Sequence, residues 1–328
     1  MILADSFGRI ITSLRASVTD RCNFRCRSCM PAEGMAWLDR DELLTYEEIA
    51  RLVRIFSEVG ITRVRLTGGE PLMRKNLFQL VRMVASVSAV KDISVTTNGY
   101  FLVEQAEALV SAGLTRINVN LDALDADRFS EMARGDYLDK VWKGLELVEK
   151  LPLHSIKLNV VLIRGVNDGE VEEFVDLART SSFIVRFIEF MPLGKDDGWA
   201  FEKVVPTEEL ISRIKELGHR LIPVASNGTH AARRYRFENG RGKIGFISSV
   251  TDPFCESCDR VRTTADGKLR TCLFSLGETD LKKMLRGRMS DDEIKETVRT
   301  AVWAKEEGHL INRPGFVRPE RTMSQIGG

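Results

Sequence analysis

All six cysteines of this 328-residue chain fall into two groups. Cys22, Cys26 and Cys29 lie within eight residues, and Cys255, Cys258 and Cys272 form a second group far downstream. An even number admits three disulfides, but disulfide frameworks belong to small secreted domains, and a chain of this length does not need stapling. Cysteines used as buried hydrophobes would scatter. These cluster at ligand spacings, which points to metal or cluster binding. Structural zinc wants four protein ligands. The four histidines, His154, His219, His230 and His309, are remote in sequence from both groups, although His230 or His309 could fold back onto the second, so zinc stays open there. Two sets of three thiolates without an evident fourth ligand suggest iron–sulfur clusters, each with one iron left open for a substrate or cofactor.

These groups must be held by elements, and the pattern supplies them. Between residues 10 and 225, short β-branched runs alternate with amphipathic helical stretches. Strands are expected at 10–18, 62–67, 93–97, 115–122, 155–163 and 183–190, read as near-continuous apolar runs of buried parallel strands. The first helix has Thr45 as N-cap, Glu48 completing a capping box and Gly60 ending it, with Ile49, Leu52, Val53 and Phe56 on one buried face. Further helices are expected at 76–90, 103–112, 139–150, 169–180 and 207–217. Six such units favour an α/β fold, a partial (β/α)6 TIM-like barrel, over a complete eight-unit one. After Pro223 the character changes: turns at 227–228 and 239–240 flank a strand pair at 234–237 and 243–247, and helices follow near 278–287 and 290–307. The expected division is 1–225 for the barrel and 226–328 for an extension carrying the second cysteine group. No internal repeat or low-complexity segment is present.

In such a barrel the active site forms at the C-terminal ends of the strands. The first cysteine loop follows strand one, Thr67-Gly68-Gly69-Glu70-Pro71 ends strand two, Thr96-Thr97-Asn98-Gly99 ends strand three, and residues 118–122 and 186–191 end strands four and six. That convergence on one face is a site expectation.

Composition excludes several classes. Lys+Arg 48 against Asp+Glu 47 gives a net charge of +1, which argues against wrapping nucleic acid but leaves room for a local basic pocket. Hydrophobic residues at 43% and charged residues at 29% are an ordinary globular balance. No apolar run approaches the length of a membrane span. Asp5 stands where a signal peptide would carry Lys or Arg, so a cytoplasmic chain is expected.

Cys22-x3-Cys26-x2-Cys29 after the first strand, with Gly68-Gly69-Glu70-Pro71 after the second, resembles the radical S-adenosylmethionine (SAM) enzymes. The run from Leu14 to Asn23, the Cys255-x2-Cys258-x13-Cys272 group and the Gly-Gly terminus narrow this to a resemblance to the MoaA-type GTP 3′,8-cyclases, from about Asp5 to Gly328. The resemblance implies that Cys22, Cys26 and Cys29 hold a SAM-binding [4Fe–4S] cluster and that Cys255, Cys258 and Cys272 hold a second [4Fe–4S] cluster meeting the guanine of GTP. It puts Ser28, Gly69, Glu70, Asn120, Arg186 and Met191 around SAM. It puts Arg15, Arg65, Thr96, Lys157, Arg260, Val261 and Arg262 around GTP. Arg260, Arg262, Gly327 and Gly328 carry the catalytic expectations, the two glycines as a tail closing over the site.

The implied reaction is that of a lyase: a 5′-deoxyadenosyl radical removes hydrogen from C3′ of GTP, and C3′ attacks C8 to give (8S)-3′,8-cyclo-7,8-dihydroguanosine 5′-triphosphate, opening molybdenum cofactor biosynthesis. The implied partners are an external one-electron reductant and a downstream cyclic pyranopterin monophosphate synthase, with the chain as monomer or homodimer. Residue types agree with this: Arg forks match phosphate oxygens bidentately and Lys serves as a point charge. Two positions depart from the family, Ser28 in place of an aromatic residue and Asn120 in place of Ser. Competing readings are a peptide-modifying radical SAM enzyme, an electron-transfer iron–sulfur protein and a zinc-stabilised binding module.

Overall fold

The computed structural model describes residues 2–193, 198–225, 231–240 and 242–327. The expected turn at 227–228, His230 and Gly328 lie outside these described residues.

Along the chain come β1 (Ser13–Ser17), α1 (Tyr46–Glu58), β2 (Arg63–Thr67), α2 (Leu77–Ala85), β3 (Asp92–Thr97), α3 (Leu102–Ser111) and β4 (Arg116–Asn120). Next are α4 (Ala126–Ala133), α5 (Leu138–Val148), β5 (Ser155–Leu162), α6 (Val171–Thr180), β6 (Ile184–Glu189), α7 (Thr207–Glu216) and β7 (Leu221–Pro223). The chain continues through β8 (Arg233–Phe237), β9 (Lys243–Ile247), β10 (Arg260–Thr263), β11 (Lys268–Arg270) and β12 (Thr279–Asp280). It ends with α8 (Leu281–Arg286), α9 (Asp291–Trp303) and α10 (Met323–Ile326). All six expected barrel strands form. Helix α1 has the expected capping box, with Glu48 N–H donating to Thr45 Oγ1 at 3.1 Å and Thr45 N–H to Glu48 Oε2 at 2.8 Å. It closes at Val59, and Gly60, at φ +116°, turns the chain toward β2.

The strands make one sheet in the order β12-β11-β10-β1-β2-β3-β4-β5-β6-β9-β8-β7. From β10 through β1–β6 to β9 every neighbour is parallel, and the outer pairs are antiparallel. Residues after 225 therefore extend the barrel at both edges, β10 beside β1 and β9 beside β6. Helices α4 and α10 and strands β7 and β10–β12 were not among the expected elements.

The reading of the strands as near-continuous apolar runs is corrected by the structure. In β1, Leu14 and Ala16 are buried in the core while Ser13 and Arg15 face the barrel cavity. In β2, Leu66 packs in the core while Arg63, Arg65 and Thr67 face the cavity, and in β5, Ile156, Leu158 and Val160 oppose Lys157 and Asn159. Side chains alternate across a strand, so a barrel whose lumen is polar must read apolar at every second position only. The outward residues and the inner faces of the helices form one core, with Phe56, Phe174, Phe187 and Phe246 fully buried. A smaller cluster of Leu193, Val204, Val250, Phe274, Ile311 and Ile326 anchors α10 beside the lumen. Among the described residues no helix is long and apolar enough to cross a membrane.

Candidate functional site

A cavity of about 400 Å³ runs through the barrel and is lined by all six cysteines. None is in a disulfide, and all are partly exposed. No group of three His, Cys, Asp or Glu side chains among the described residues converges on a single-ion point. In a four-iron cluster each thiolate takes its own iron, so the ligands stand farther apart than those of one ion.

The first cysteine loop is shaped by its backbone. Gly69 N–H donates to Thr19 O at 2.8 Å and Glu70 N–H to Arg21 O at 2.8 Å, so the glycine loop after β2 lies directly on the residues preceding Cys22. Arg25 Nη1 donates to the carbonyls of Cys22 at 2.8 Å and Phe24 at 3.0 Å, and Arg134 Nη1 to those of Arg25 at 2.8 Å and Met30 at 3.0 Å. Phe24 stacks on Tyr137 with centroids 4.7 Å apart and meets Phe129 and Tyr100 edge-on. Burial pushes the Cys22 thiol up to about 11 and the Cys29 thiol up to about 12, with Cys22 itself a further cause for Cys29. Such thiols ionise only against strong positive charge, which bound iron supplies, so the trio fits a cluster.

Glu70 is buried, and burial raises its carboxyl to about 7. Its Oε1 accepts from Leu72 N–H at 2.9 Å and Thr97 Oγ1 at 2.7 Å, and its Oε2 from Asn98 N–H at 2.7 Å. Glu70 thus ties the glycine loop to the end of β3. Ser28 bonds Asp122, whose carboxyl burial raises to about 6 and which also accepts from Val161 N–H at 2.8 Å. Asn120 faces the cavity and accepts from Asn159 Nδ2 at 2.9 Å, and Met191 lines the wall.

The opposite part of the lumen is cationic. Across the sheet, Arg262 on β10, Arg15 on β1 and Arg65 on β2 are direct neighbours in register, with Ser94 and Arg116 continuing the row. Two rows further along the strands, Asn120, Asn159 and Arg186 are aligned. Burial, then mutual repulsion, lowers Arg15 well below its ordinary value and Arg186 to about 9. Burial lowers Arg65 and Arg262 to about 10, with Arg260 among the further causes for both. Lys157 falls to about 7 through burial, Arg186, Arg65 and Arg116. Thr96 Oγ1 and Arg186 Nε are buried without hydrogen-bond partners among the described residues. Buried cations and orphaned donors are costly unless an anion answers them.

Strand β10 has the extended geometry that sends Arg260 and Arg262 to one side. Val261 points the other way, fully buried in the core, so its side chain does not face the cavity. Gly327 enters the lumen: its carbonyl accepts from Arg262 Nη1 at 2.5 Å, and Ser17 Oγ donates to Ile326 O at 3.1 Å. The backbone N–H of Ser324 reaches the Cys29 sulfur, so this tail touches both cysteine groups' surroundings. His309 lines the cavity and lends its backbone N–H to Cys255.

Sequence reasoning missed Arg25, Arg134, Asp122, Arg63 and Arg116. Arg63 bonds Asp259 and Thr12, and Arg116 pairs with Asp92 at 3.1 Å, so these two carry their own counter-charges. The alternation Arg63-Val64-Arg65 was the signal available for Arg63.

The sequence profile described as Radical SAM superfamily matches residues 16–178, and that described as Molybdenum Cofactor Synthesis C matches residues 183–311. The chain is 44% identical over 329 residues to the GTP 3′,8-cyclase of Syntrophomonas wolfei, covering 99% of this chain and all of that protein. It is 43% identical to the one from Streptomyces coelicolor over 100% of this chain and 96% of that protein. For Alkaliphilus metalliredigens the identity is 40%, with 99% and 100% covered. Among solved structures, Streptococcus suis SuiB bound to its precursor peptide SuiA superposes with a TM-score of 0.61 over 97% of this chain and 76% of that one. At 14% identity that likeness is one of fold.

Proposed function

The chain belongs to the GTP 3′,8-cyclase family of radical SAM enzymes, and we propose that its lumen takes SAM at the first cysteine loop and GTP among the arginines, with a second [4Fe–4S] cluster on Cys255, Cys258 and Cys272. The observation that carries this reading is one cavity joining both cysteine trios to a row of cations that line it. When bound, SAM and the first cluster supply the one-electron chemistry that takes hydrogen from C3′ of the ribose and so lets C3′ bond to C8 of guanine, the step that opens molybdenum cofactor biosynthesis.

The chain's own residues bind, orient and exclude water. Arg15, Arg65 and Lys157 supply positive charge for the triphosphate, and Thr96 Oγ1, without a hydrogen-bond partner among the described residues, offers it a hydroxyl. Arg260 and Arg262 project from β10 beside the second trio, where the guanine is placed by this reading. Ser28, Gly69, Glu70, Asn120, Arg186 and Met191 surround the space left for SAM. Gly327 seals the lumen between β1 and β10. A one-electron reductant and a synthase consuming the cyclised nucleotide are the partners this reading requires.

The direct test is anaerobic reconstitution with iron and sulfide, then dithionite, SAM and GTP, with products followed by mass spectrometry. A cyclised GTP isomer together with 5′-deoxyadenosine is expected. Deoxyadenosine without altered GTP would sink the substrate assignment, and neither product from cluster-loaded protein would sink the reading.

Lys157 adds a pH signature. Its ammonium sits near a pKa of about 7 in the free protein, and a triphosphate beside it would restore the charge. At pH 8, where GTP is fully ionised, binding should take up about one proton, and affinity should fall by up to about tenfold per unit as pH rises above 7. Calorimetry in buffers of different ionisation enthalpy measures this, with Lys157→Met abolishing the uptake. Uptake that survives Lys157→Met would assign it to another group.

A further inference from the structure

The second cysteine trio has a cation of its own that the substrate reading does not use. Lys305, just past the end of α9, is only 3% exposed. Its ammonium donates to two backbone carbonyls, Arg260 O at 3.3 Å and Thr271 O. Those carbonyls belong to the two separate stretches that carry the thiols: Arg260 stands two residues after Cys258, and Thr271 immediately precedes Cys272. One side chain therefore ties the two halves of the ligand set together.

A buried ammonium normally has a carboxylate beside it, because carbonyl dipoles satisfy its hydrogens but not its charge. Among the described residues no carboxylate is in ion-pair contact with Lys305. The neighbouring Glu306 spends its oxygens on Thr271 Oγ1, at 2.8 Å, and on Ser275 Oγ. Two other buried cations behind this loop have acids of their own: Arg9 has Asp5 at 2.5 Å and donates to the Cys255 carbonyl at 2.9 Å, and Arg270 has Glu278 at 2.5 Å. What lies near Lys305 instead is the trio: it is the leading charge on Cys258 and Cys272 and a minor one on Cys255, with Glu306 acting in the opposite sense on Cys272. The groups in the lumen that share this face are Arg260 and Arg262, which the substrate reading assigns to GTP.

We propose that Lys305 is the fixed counter-charge of the second trio, a positioning residue that holds the segments carrying Cys258 and Cys272 at one spacing and raises the reduction potential of the cluster they carry. The proposal rests on the reading that these cysteines hold a cluster. Its physics is independent of catalysis. A cluster on three thiolates gains negative charge when reduced, and a buried ammonium in a poorly screened site favours that state. Removing the charge lowers the potential, and moving it onto a guanidinium keeps it.

The experiment uses the full chain with Cys22→Ala, Cys26→Ala and Cys29→Ala, so that only the second trio can hold iron. After anaerobic reconstitution, iron and sulfide are counted and the midpoint potential is read by a redox titration followed by electron paramagnetic resonance. The parent is expected to hold about four irons. Absence of iron from a folded parent, shown by circular dichroism, overturns the cluster reading and this proposal with it. With the parent loaded, Lys305→Gln, which keeps N–H groups toward the carbonyls but not the charge, is expected to lower the midpoint, and Lys305→Arg to hold the parent's value. An unchanged midpoint and iron content in Lys305→Gln overturns the proposal while the cluster reading stands. If Lys305→Gln takes up no iron, Lys305→Arg decides. Uptake by the arginine variant shows the same charge dependence as occupancy, and loss in both folded variants reduces Lys305 to packing.

Discussion

Replacing Gly69 with alanine is expected to cut 5′-deoxyadenosine formation by at least ~100-fold, the scale on which displacing a reacting group by an ångström acts. A Cβ at this position would stand 2.3 Å from Arg21 O and 2.4 Å from Asp20 O. Both are backbone atoms of the loop that leads into Cys22, so relief cannot come from rotating a side chain. The glycine's φ is not in the left-handed region, so the requirement is one of space. Gly68 needs both space and conformation: its φ is +142°, and a Cβ there would lie 2.1 Å from Thr19 O. The paired glycines thus let two backbones touch, which makes the glycine loop a template for the cysteine loop. The measurement is iron content and deoxyadenosine yield of Gly69→Ala after anaerobic reconstitution. The second trio should still load. A variant that cleaves SAM at more than about a tenth of the parent rate would remove the template role.

The same argument explains why Glu70 is buried with three hydrogen bonds from protein donors. A carboxylate raised to about 7 by desolvation is a poor choice for a surface loop. It is a suitable one where Leu72, Thr97 and Asn98 must be held in one arrangement and where a cationic ligand part would recharge it. The lumen is therefore divided by chemistry: buried Glu70 and half-buried Asp122 near the first cysteine loop, and facing them Lys157 with Arg15, Arg65 and Arg186, which have no ion-pair partner among the described residues. SAM, with a positively charged sulfonium, and GTP, densely anionic, ask for that division.

Much of this was legible in the residues. The cysteine groups, the capping box at Thr45 and Glu48, and the convergence of strand ends depend on local spacing, and the structure has each of them. The polar lumen was misread because runs such as 63–67 were weighed by apolar content and β-branching. The alternation Arg63-Val64-Arg65-Leu66 is the period-two signal of a strand with one wet face. Strand β10 was out of reach: Ser13 pairs with Arg260 across nearly the whole chain, and no local pattern encodes a parallel edge partner at that separation. Arg25 and Arg134 act through carbonyls, and a side chain's choice of backbone acceptor leaves no trace in sequence. Ser28 shows the reverse. Its departure from the family was visible, while its hydroxyl's partner, Asp122, needed coordinates.

The tail supplies the other large effect. Gly327→Ala is expected to abolish cyclised GTP, by at least ~100-fold, while both trios keep their iron and SAM cleavage continues. At φ +88° an L side chain is strained, and the added Cβ would stand 2.1 Å from Ser17 Oγ and 2.9 Å from Thr67 Cγ2. Relief means withdrawing the tail from the C-terminal ends of β1 and β2, and withdrawal breaks the bond from Arg262 to the Gly327 carbonyl. Arg262 is then free to rotate, and the guanine side of the lumen loses its fixed edge. The cysteine loops, held by Arg25, Arg134, Arg9 and Lys305 from outside the lumen, keep their shape. The effect therefore separates the two halves of the chemistry: deoxyadenosine accumulates, and GTP is recovered unaltered. Ser17→Gly in the same chain removes the nearer clash and should restore part of the cyclisation, because what remains is the backbone strain and the milder contact with Thr67 Cγ2 at 2.9 Å. Failure of Gly327→Ala to change product yield would leave the tail as packing for Ile326. Rescue by Ser17→Gly ties the loss to the contact itself.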